Sequence, residues 1–257
     1  MSIPKHSALI LGGTGAVGKC LVRDALASNA FSRVLALGRR PVPLDNTFTN
    51  TAVLDQKTVD FEHVQDSFPS DLPQVVFCTL GTNLTSAPSV EAWKRVDQQY
   101  VVDSARYIHE KAPKDPETGL SKVHFLYCSA VGANHKSFFL GTRTKGETEQ
   151  ALAKIGFERV SIFQPAILKV VEPRESVTYV ERIATKFVPL LDYVAEKSTT
   201  VSVATVAQCM RLVGTSDTPE VAGVAPKKVE VFPESKTTVA YYSNAKIHEI
   251  VNSASKL

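Results

Sequence analysis

The sequence predicts an α/β fold, a doubly wound parallel sheet with helices on both faces. Three observations carry that prediction: short apolar runs recur along the first two thirds of the chain, segments with helical spacing lie between them, and a glycine-rich turn separates the first run from the first helix. Parallel neighbours need crossover connections, which are helical and right-handed, so alternation in sequence becomes layering in space.

The runs Ala8 to Leu11, Val34 to Leu37, Val75 to Leu80, Val123 to Cys128 and Val160 to Phe163 are too short for buried helices. They also lack polar alternation, as strands covered on both faces do. Between them Val17, Leu21, Val22, Ala25 and Leu26 keep the period of one buried helical stripe, as do Val96, Tyr100, Val101, Ser104 and Ile108, and later Ala151, Leu152 and Ile155. After about Pro165 the alternation decays, and prolines from Pro173 to Pro233 punctuate shorter elements. The expected organisation is one domain over 1–257, with a core at 7–165 and a small C-terminal substrate-side or lid region at 166–257. Within that region Val177 to Val194 places Val180, Ile183, Ala184, Phe187 and Leu191 at helical spacing, as a pocket lid or a docking helix would.

Composition narrows the function classes. The 29 basic and 26 acidic side chains leave +3 with no block of like charge, so nucleic acid is not an expected partner. The longest uncharged run, Leu72 to Val90, contains two prolines and an Asn, which bilayer hydrocarbon does not tolerate. Cys20, Cys78, Cys128 and Cys209 lie far apart with no CxxC spacing, so neither a metal site nor a disulfide framework is expected. Small buried thiols in a reducing compartment fit them best.

The first chemical motif is GGTGAVG. Gly12, Gly13, Gly15 and Gly18 satisfy both G-x-G-x-x-G and G-x-x-G-x-x-G between a strand and an amphipathic helix. The chemistry needs a sharp turn, a backbone that approaches a pyrophosphate closely, and a helix packed tightly on its strand. The N–H groups of the loop, which also holds Thr14, Ala16 and Val17, and the positive end of the helix dipole then face the phosphates. The second motif, LALGRRP, selects the cofactor. Where an acidic residue grips the ribose 2′-hydroxyl of NAD stand Gly38, Arg39 and Arg40, with Arg39 21 residues after Gly18. A guanidinium binds a 2′-phosphate that a carboxylate repels, so NADPH/NADP is expected. Asp60, with Phe61 beside it, is the candidate for the adenine side.

GGTGAVG, LALGRRP, VDFE, CTLGT, RVDQQYVVDSA, TKGETE, SIFQPAIL and NAKIHEI occur in that order over nearly the whole chain. The set resembles the Tat-interacting-protein family of atypical short-chain dehydrogenases, particularly its fungal branch found with the mitochondrial outer membrane. The resemblance implies an extended, atypical short-chain-dehydrogenase Rossmann fold that binds NADPH, a poorly defined reductase activity and, in animal members, regulatory protein partners. It implies that the glycine loop, Arg39 and Arg40 clamp the cofactor and that Leu80, Gly81 and Thr82 pass beneath it. It further implies that Ser129 is the active-site serine, that Lys145 is the lysine of a Y-x-x-x-K pair, and that Pro165 lines the nicotinamide pocket.

The sequence departs from this pattern at one place. Four residues before Lys145 stands Gly141, not Tyr. In the usual enzyme that phenol donates a proton to the carbonyl, its pKa lowered by the lysine. Glycine has none to give. Tyr127, two residues before Ser129 and on the same face of its strand, is the best substitute, and His135 the second. The expected protein is therefore an NADPH-binding reductase-like chain with weak or displaced chemistry on an unidentified carbonyl substrate. The alternative is a non-enzymatic NADPH-dependent regulator with a protein partner. Only seven residues precede the first strand, so a cleaved presequence would remove the phosphate loop. The resemblance then implies peripheral attachment to the cytosolic face of the mitochondrial outer membrane, with the basic helix that starts at Val17 a candidate contact and no transmembrane span.

Overall fold

The computed structural model describes residues 6–170 and 199–256. The segment from Val177 to Val194, read above as a lid or docking helix, lies outside the described residues.

Eight strands form one sheet in the order β3-β2-β1-β4-β5-β6-β10-β9. They are β1 (His6–Leu11), β2 (Phe31–Gly38), β3 (Leu54–Thr58), β4 (Val75–Cys78), β5 (Ser121–Cys128), β6 (Phe157–Gln164), β9 (Lys228–Val231) and β10 (Thr238–Ser243). All neighbours are parallel except β9 and β10. A separate parallel pair joins β7 (Ile167–Lys169) to β8 (Thr200–Ser202). The helices are α1 (Ala16–Ala27), α2 (Val64–Ser67), α3 (Val90–Lys94), α4 (Tyr100–Lys111), α5 (Leu140–Ala153), α6 (Val203–Gly214) and α7 (Asn244–Ala254).

Strand periodicity sorts the core into two layers. Ala8 and Ile10 of β1 join Leu21 and Val22 of α1, Val206 and Met210 of α6, and Ile247 of α7. Leu9 and Leu11 point the other way, toward Val101 and Ile108 of α4 and Leu152 of α5. Every central strand is therefore apolar on both faces, which is why each reads as a continuous run. The covered face of α1 packs on α6, where Arg211 Nε donates to Asp24 Oδ2 at 2.5 Å. That face is accordingly not free to meet a membrane.

Three expected boundaries shift. The run expected to reach Leu80 ends as a strand at Cys78, and the last bond of the β1–β4 ladder is Thr79 N–H donating to Leu11 O at 2.9 Å. The helix expected to run unbroken through Val96 and Ile108 is interrupted by a π-helical segment, Arg95–Gln99. The extra residue in that turn swings Asp97 inward, and such wide turns are frequent at functional sites. Ile155, expected on α5, lies beyond its end, and Gly156 follows at φ +104. Two strands of the sheet and two covering helices come from beyond Pro165, the part expected to lie on the substrate side.

Candidate functional site

The carboxyl ends of β1, β2 and β4 open a cleft lined by Gly12, Thr14, Gly15, Gly38, Arg39, Arg40, Phe61, Thr79, Leu80, Gly81, Val96 and Tyr100. That is the crevice where doubly wound sheets hold ligands. Its floor is built for close approach. Gly12 takes φ +86, and a Cβ there would stand 2.9 Å from Leu80 N. At Gly18 a Cβ would lie 2.1 Å from Gly12 O, so the first turn of α1 rests directly on the loop.

The start of α1 is uncapped. Its cap residue, Gly15, has no side chain to satisfy the first N–H groups, and no acidic residue occupies the first turn. Ala16, Val17 and Gly18 do not line the cleft by side chain: Val17 is buried in the core, and these positions offer only backbone N–H groups to an anion. A bare helix start next to a backbone that admits no Cβ is the cradle that a pyrophosphate fits.

Arg39 and Arg40 stand exposed at the rim where β2 ends. Phe61 and Tyr100 form the facing wall, their rings stacked at 5.5 Å, and the Tyr100 hydroxyl donates to Glu62 Oε1 at 2.6 Å. Asp60 is exposed and outside the cleft lining, its Oδ1 accepting from Glu62 N at 2.9 Å. Its carboxylate thus shapes the turn that presents Phe61. Thr79, Val96 and Tyr100 escaped the sequence reading of the site, because their place on the wall depends on how strand ends and the π turn converge.

Beyond Gly81 the site becomes charged and buried. Lys145 Nζ sits 3.0 Å from Asp97 Oδ1 and donates to the Tyr127 hydroxyl at 3.0 Å. Asp97 Oδ2 accepts from Thr82 N at 2.7 Å, and buried Trp93 donates to Thr82 O at 3.1 Å. A Cβ at Gly81 would come within 3.3 Å of Asp97 Oδ1 and 3.5 Å of Lys145 Nζ, so the ammonium lies beside the cleft. Burial alone would lower the Lys145 pKa, but the attraction of Tyr127 and Asp97 outweighs it and holds the ammonium above the ordinary lysine value. Tyr127 is 0% exposed, and burial pushes its phenol up to about 12 despite the nearby lysine. Cys78 is pushed up to about 12 and Cys128 to about 11 by the same burial, so neither is a ready thiolate.

Ser129, 6% exposed at the end of β5, donates to Glu149 Oε1 at 2.5 Å. Gln164 Nε2 donates to both oxygens of that carboxyl, at 3.1 and 3.3 Å. Burial raises the Glu149 pKa, and the bonds from Ser129 and Gln164 only partly offset it. Glu149 was missed because a Glu in a helix reads as a solvated face; it is buried because α5 presses on the loop after β5. A Cβ at Gly146 would lie 2.2 Å from His135 N, so only glycine lets the helix come that close. Pro165 is buried behind this cluster, its carbonyl accepting from Val131 N at 2.8 Å. His135 is exposed on the loop. A Cβ at Gly141 would meet nothing within 4 Å. Among the described residues no group of three His, Cys, Asp or Glu side chains is placed to hold a metal, and no helix is long and apolar enough to cross a membrane.

No protein-family model matches the chain. Protein HTATIP2 of Rattus norvegicus is 34% identical over 163 residues, 63% of this chain and 62% of that protein. The chain therefore matches less than two thirds of that relative's length. Mitochondrial protein FMP52 of Lodderomyces elongisporus is 35% identical over 63% of this chain and 67% of its own length, and that of Candida albicans is 34% identical with the same shares. Among solved structures, the fold is shared with the Bordetella bronchiseptica enzyme WbmF in complex with NAD+, at TM-score 0.57 and 15% identity over 84% of this chain and 72% of that one. It is shared too with a short-chain type dehydrogenase/reductase from Mycobacterium ulcerans, at TM-score 0.56 and 16% identity over 96% and 92%.

Proposed function

This chain belongs to the family of the mitochondrial FMP52 proteins, and from that premise we propose that it binds NADPH in the cleft as an atypical short-chain-dehydrogenase-like reductase with weak or displaced carbonyl chemistry. The observation that carries the reading is the pairing of a glycine loop too crowded for any side chain at Gly12 or Gly18 with two arginines, and no carboxylate, among the residues that line the cleft.

In this reading the N–H groups of 16–18, beside Gly15, hold the pyrophosphate and Arg39 and Arg40 hold the 2′-phosphate. Phe61 flanks the adenine, with Asp60 shaping its turn. Leu80, Gly81 and Thr82 pass beneath the nicotinamide half, Lys145 bonds its ribose, and Pro165 closes its pocket from behind. Bound NADPH supplies hydride; the protein has to supply a proton. Tyr127, buried and held by Lys145, steadies that ammonium and has no surface from which to reach a carbonyl. Gly141 supplies no acid. Turnover of a simple carbonyl is therefore slow.

Cofactor choice is the direct test. A charge-assisted bond to the 2′-phosphate contributes about 1.5 to 3 kcal/mol, so one such bond already makes NADPH bind tighter than NADH by roughly 10- to 10²-fold. Replacing both arginines, Arg39→Ala with Arg40→Ala, removes that preference in a fluorescence titration and leaves NADH affinity nearly as it was. Equal affinities of the wild type for both nucleotides sink the NADPH reading.

A second reading is favoured by the open space at Gly141: a non-enzymatic regulator or scaffold whose shape depends on bound NADPH. The FMP52 relatives are named mitochondrial, and we place this chain peripherally on the cytosolic face of the outer membrane. Protease added to intact mitochondria then degrades it, and carbonate wash releases it. Protection until the outer membrane is broken overturns that location.

A further inference from the structure

With glycine at position 141, the site holds a different acid. Glu149 is 5% exposed, its carboxyl bound to Ser129 on one side and to Gln164 on the other. An ionised carboxylate buried here makes two strong bonds and faces one cation, Lys145, which is already committed to Asp97 and Tyr127. A protonated carboxyl keeps the Gln164 bond and reverses the 2.5 Å contact, with Glu149 donating to Ser129 Oγ. Only in that second state is the Ser129 hydroxyl proton free to turn toward a substrate.

We propose that Glu149 is the proton source of this site and acts through Ser129: as the Ser129 hydroxyl gives its proton to the oxygen of a bound carbonyl, the Glu149 carboxyl gives its own to Ser129 Oγ. This rests on the reading of the cleft as a reductase site. Hydride from the reduced cofactor becomes the new C–H bond, and the carbonyl π pair becomes an oxygen lone pair that takes the serine proton. The Ser129 O–H breaks and re-forms with the glutamate's proton. Glu149 is left as a carboxylate, held by Gln164 and Lys145, until water reprotonates it. The product is an alcohol, with one hydride and one proton added. The other hydroxyls near Lys145 do not serve: Tyr127 is 0% exposed, and Thr142 is engaged with Ser137 at 2.6 Å and Phe139 O at 3.1 Å.

The groups that set this proton's affinity are few. Lys145 faces Glu149 along its own helix, with Asp97 of the π segment behind it. Ser129 and Gln164 face it from β5 and β6. From β10 it is faced by Tyr241, whose hydroxyl donates to Glu230 Oε1 of β9 at 2.9 Å. Burial outweighs the lysine, so the carboxyl stays protonated above the usual carboxylate range. Turnover is then present below that raised pKa and is lost as pH rises through it.

The experiment pairs kinetics with infrared difference spectroscopy on the full chain. Wild type, Glu149→Gln, Ser129→Ala and the double variant are assayed for NADPH oxidation with a panel of aldehydes from pH 5 to 9, beside NADPH titrations. The expected result is that both single variants keep NADPH affinity and lose turnover by about 10²-fold or more, and that the double variant loses no more than either alone. The falling limb of the pH profile disappears in both. In the infrared, wild type shows a protonated-carboxyl band that titrates over the same range and is absent from Glu149→Gln, a readout that needs no cofactor. Should Glu149→Gln fail to fold, Ser129→Ala reads the relay by itself through the same pH limb. Retained turnover in either variant, or an infrared band missing from wild type at a pH where turnover is present, overturns the relay. NADPH binding without any turnover in wild type overturns it too but leaves the binding reading standing, whereas no NADPH binding removes both.

Discussion

Gly141→Tyr raises NADPH-dependent reduction of simple aldehydes by about 10²- to 10⁴-fold, the usual contribution of a positioned general acid. Three features support the gain. A Cβ at position 141 meets open space, so a side chain enters without displacing backbone. Residues 141 and 145 are separated by one helical turn on α5, so the new phenol and the Lys145 ammonium share a face. That ammonium is buried, charged and anchored by Asp97, as required to draw a phenol's pKa down toward neutrality. Removing a glycine from the first turn of α5 also favours the helix by up to about 1 kcal/mol. Gly141→Phe is the control, since it fills the same space and has no proton to give. The comparison is kcat/KM at pH 7 for wild type and both variants, with NADPH affinity measured in parallel. Equal rates for the Tyr and Phe variants, with cofactor binding intact, sink the prediction and remove Gly141 as the reason for slow turnover.

Gly18→Ala is expected to cost the protein both stability and its cofactor. The added methyl would stand 2.1 Å from Gly12 O and 2.7 Å from Thr79 Oγ1. Neither neighbour yields cheaply. Gly12 O accepts from Gly15 N at 3.0 Å and so closes the turn, while Thr79 Oγ1 donates to Leu11 O at 3.0 Å and ties β4 to β1. Overpacking of this kind costs about 1–3 kcal/mol, read as a lower midpoint in urea with an unchanged slope. Because α1 can relieve the clash only by lifting off the loop, its free N–H groups lose their aim, and NADPH affinity falls by roughly 10- to 10²-fold. Gly223→Ala serves as the comparison for a glycine with no close neighbour: φ there is +74, so it strains the backbone without crowding the loop. Unchanged NADPH affinity in Gly18→Ala would show that the loop does not need its helix so close.

The central strands and the glycine-rich turn after β1 were legible in sequence because their physical cause is local. A strand buried on both faces has to be apolar at every position, and a turn that meets another backbone at 2.9 Å has to be glycine. β3 escaped because it pairs at the sheet's edge beside β2 and is mostly exposed, so LDQKT carries no apolar signal. β10 escaped for the opposite reason: VAYY is a short buried run set among Thr, Ser and proline, and only its place beside β6 makes it a strand.

What the sequence determined by itself was therefore the fold class, the glycine cradle, the two arginines after β2 and the glycine that stands where a tyrosine is expected. Each is fixed by residues close together in the chain. The tertiary structure alone decided which hydroxyl the lysine meets, that Asp97 turns inward at the π segment, and that Glu149 lies buried against Ser129. Those contacts join residues 18 to 48 positions apart. Whether a carboxyl is a solvated surface charge or a buried acid depends on which helix lands over it, and no local pattern of side chains encodes that.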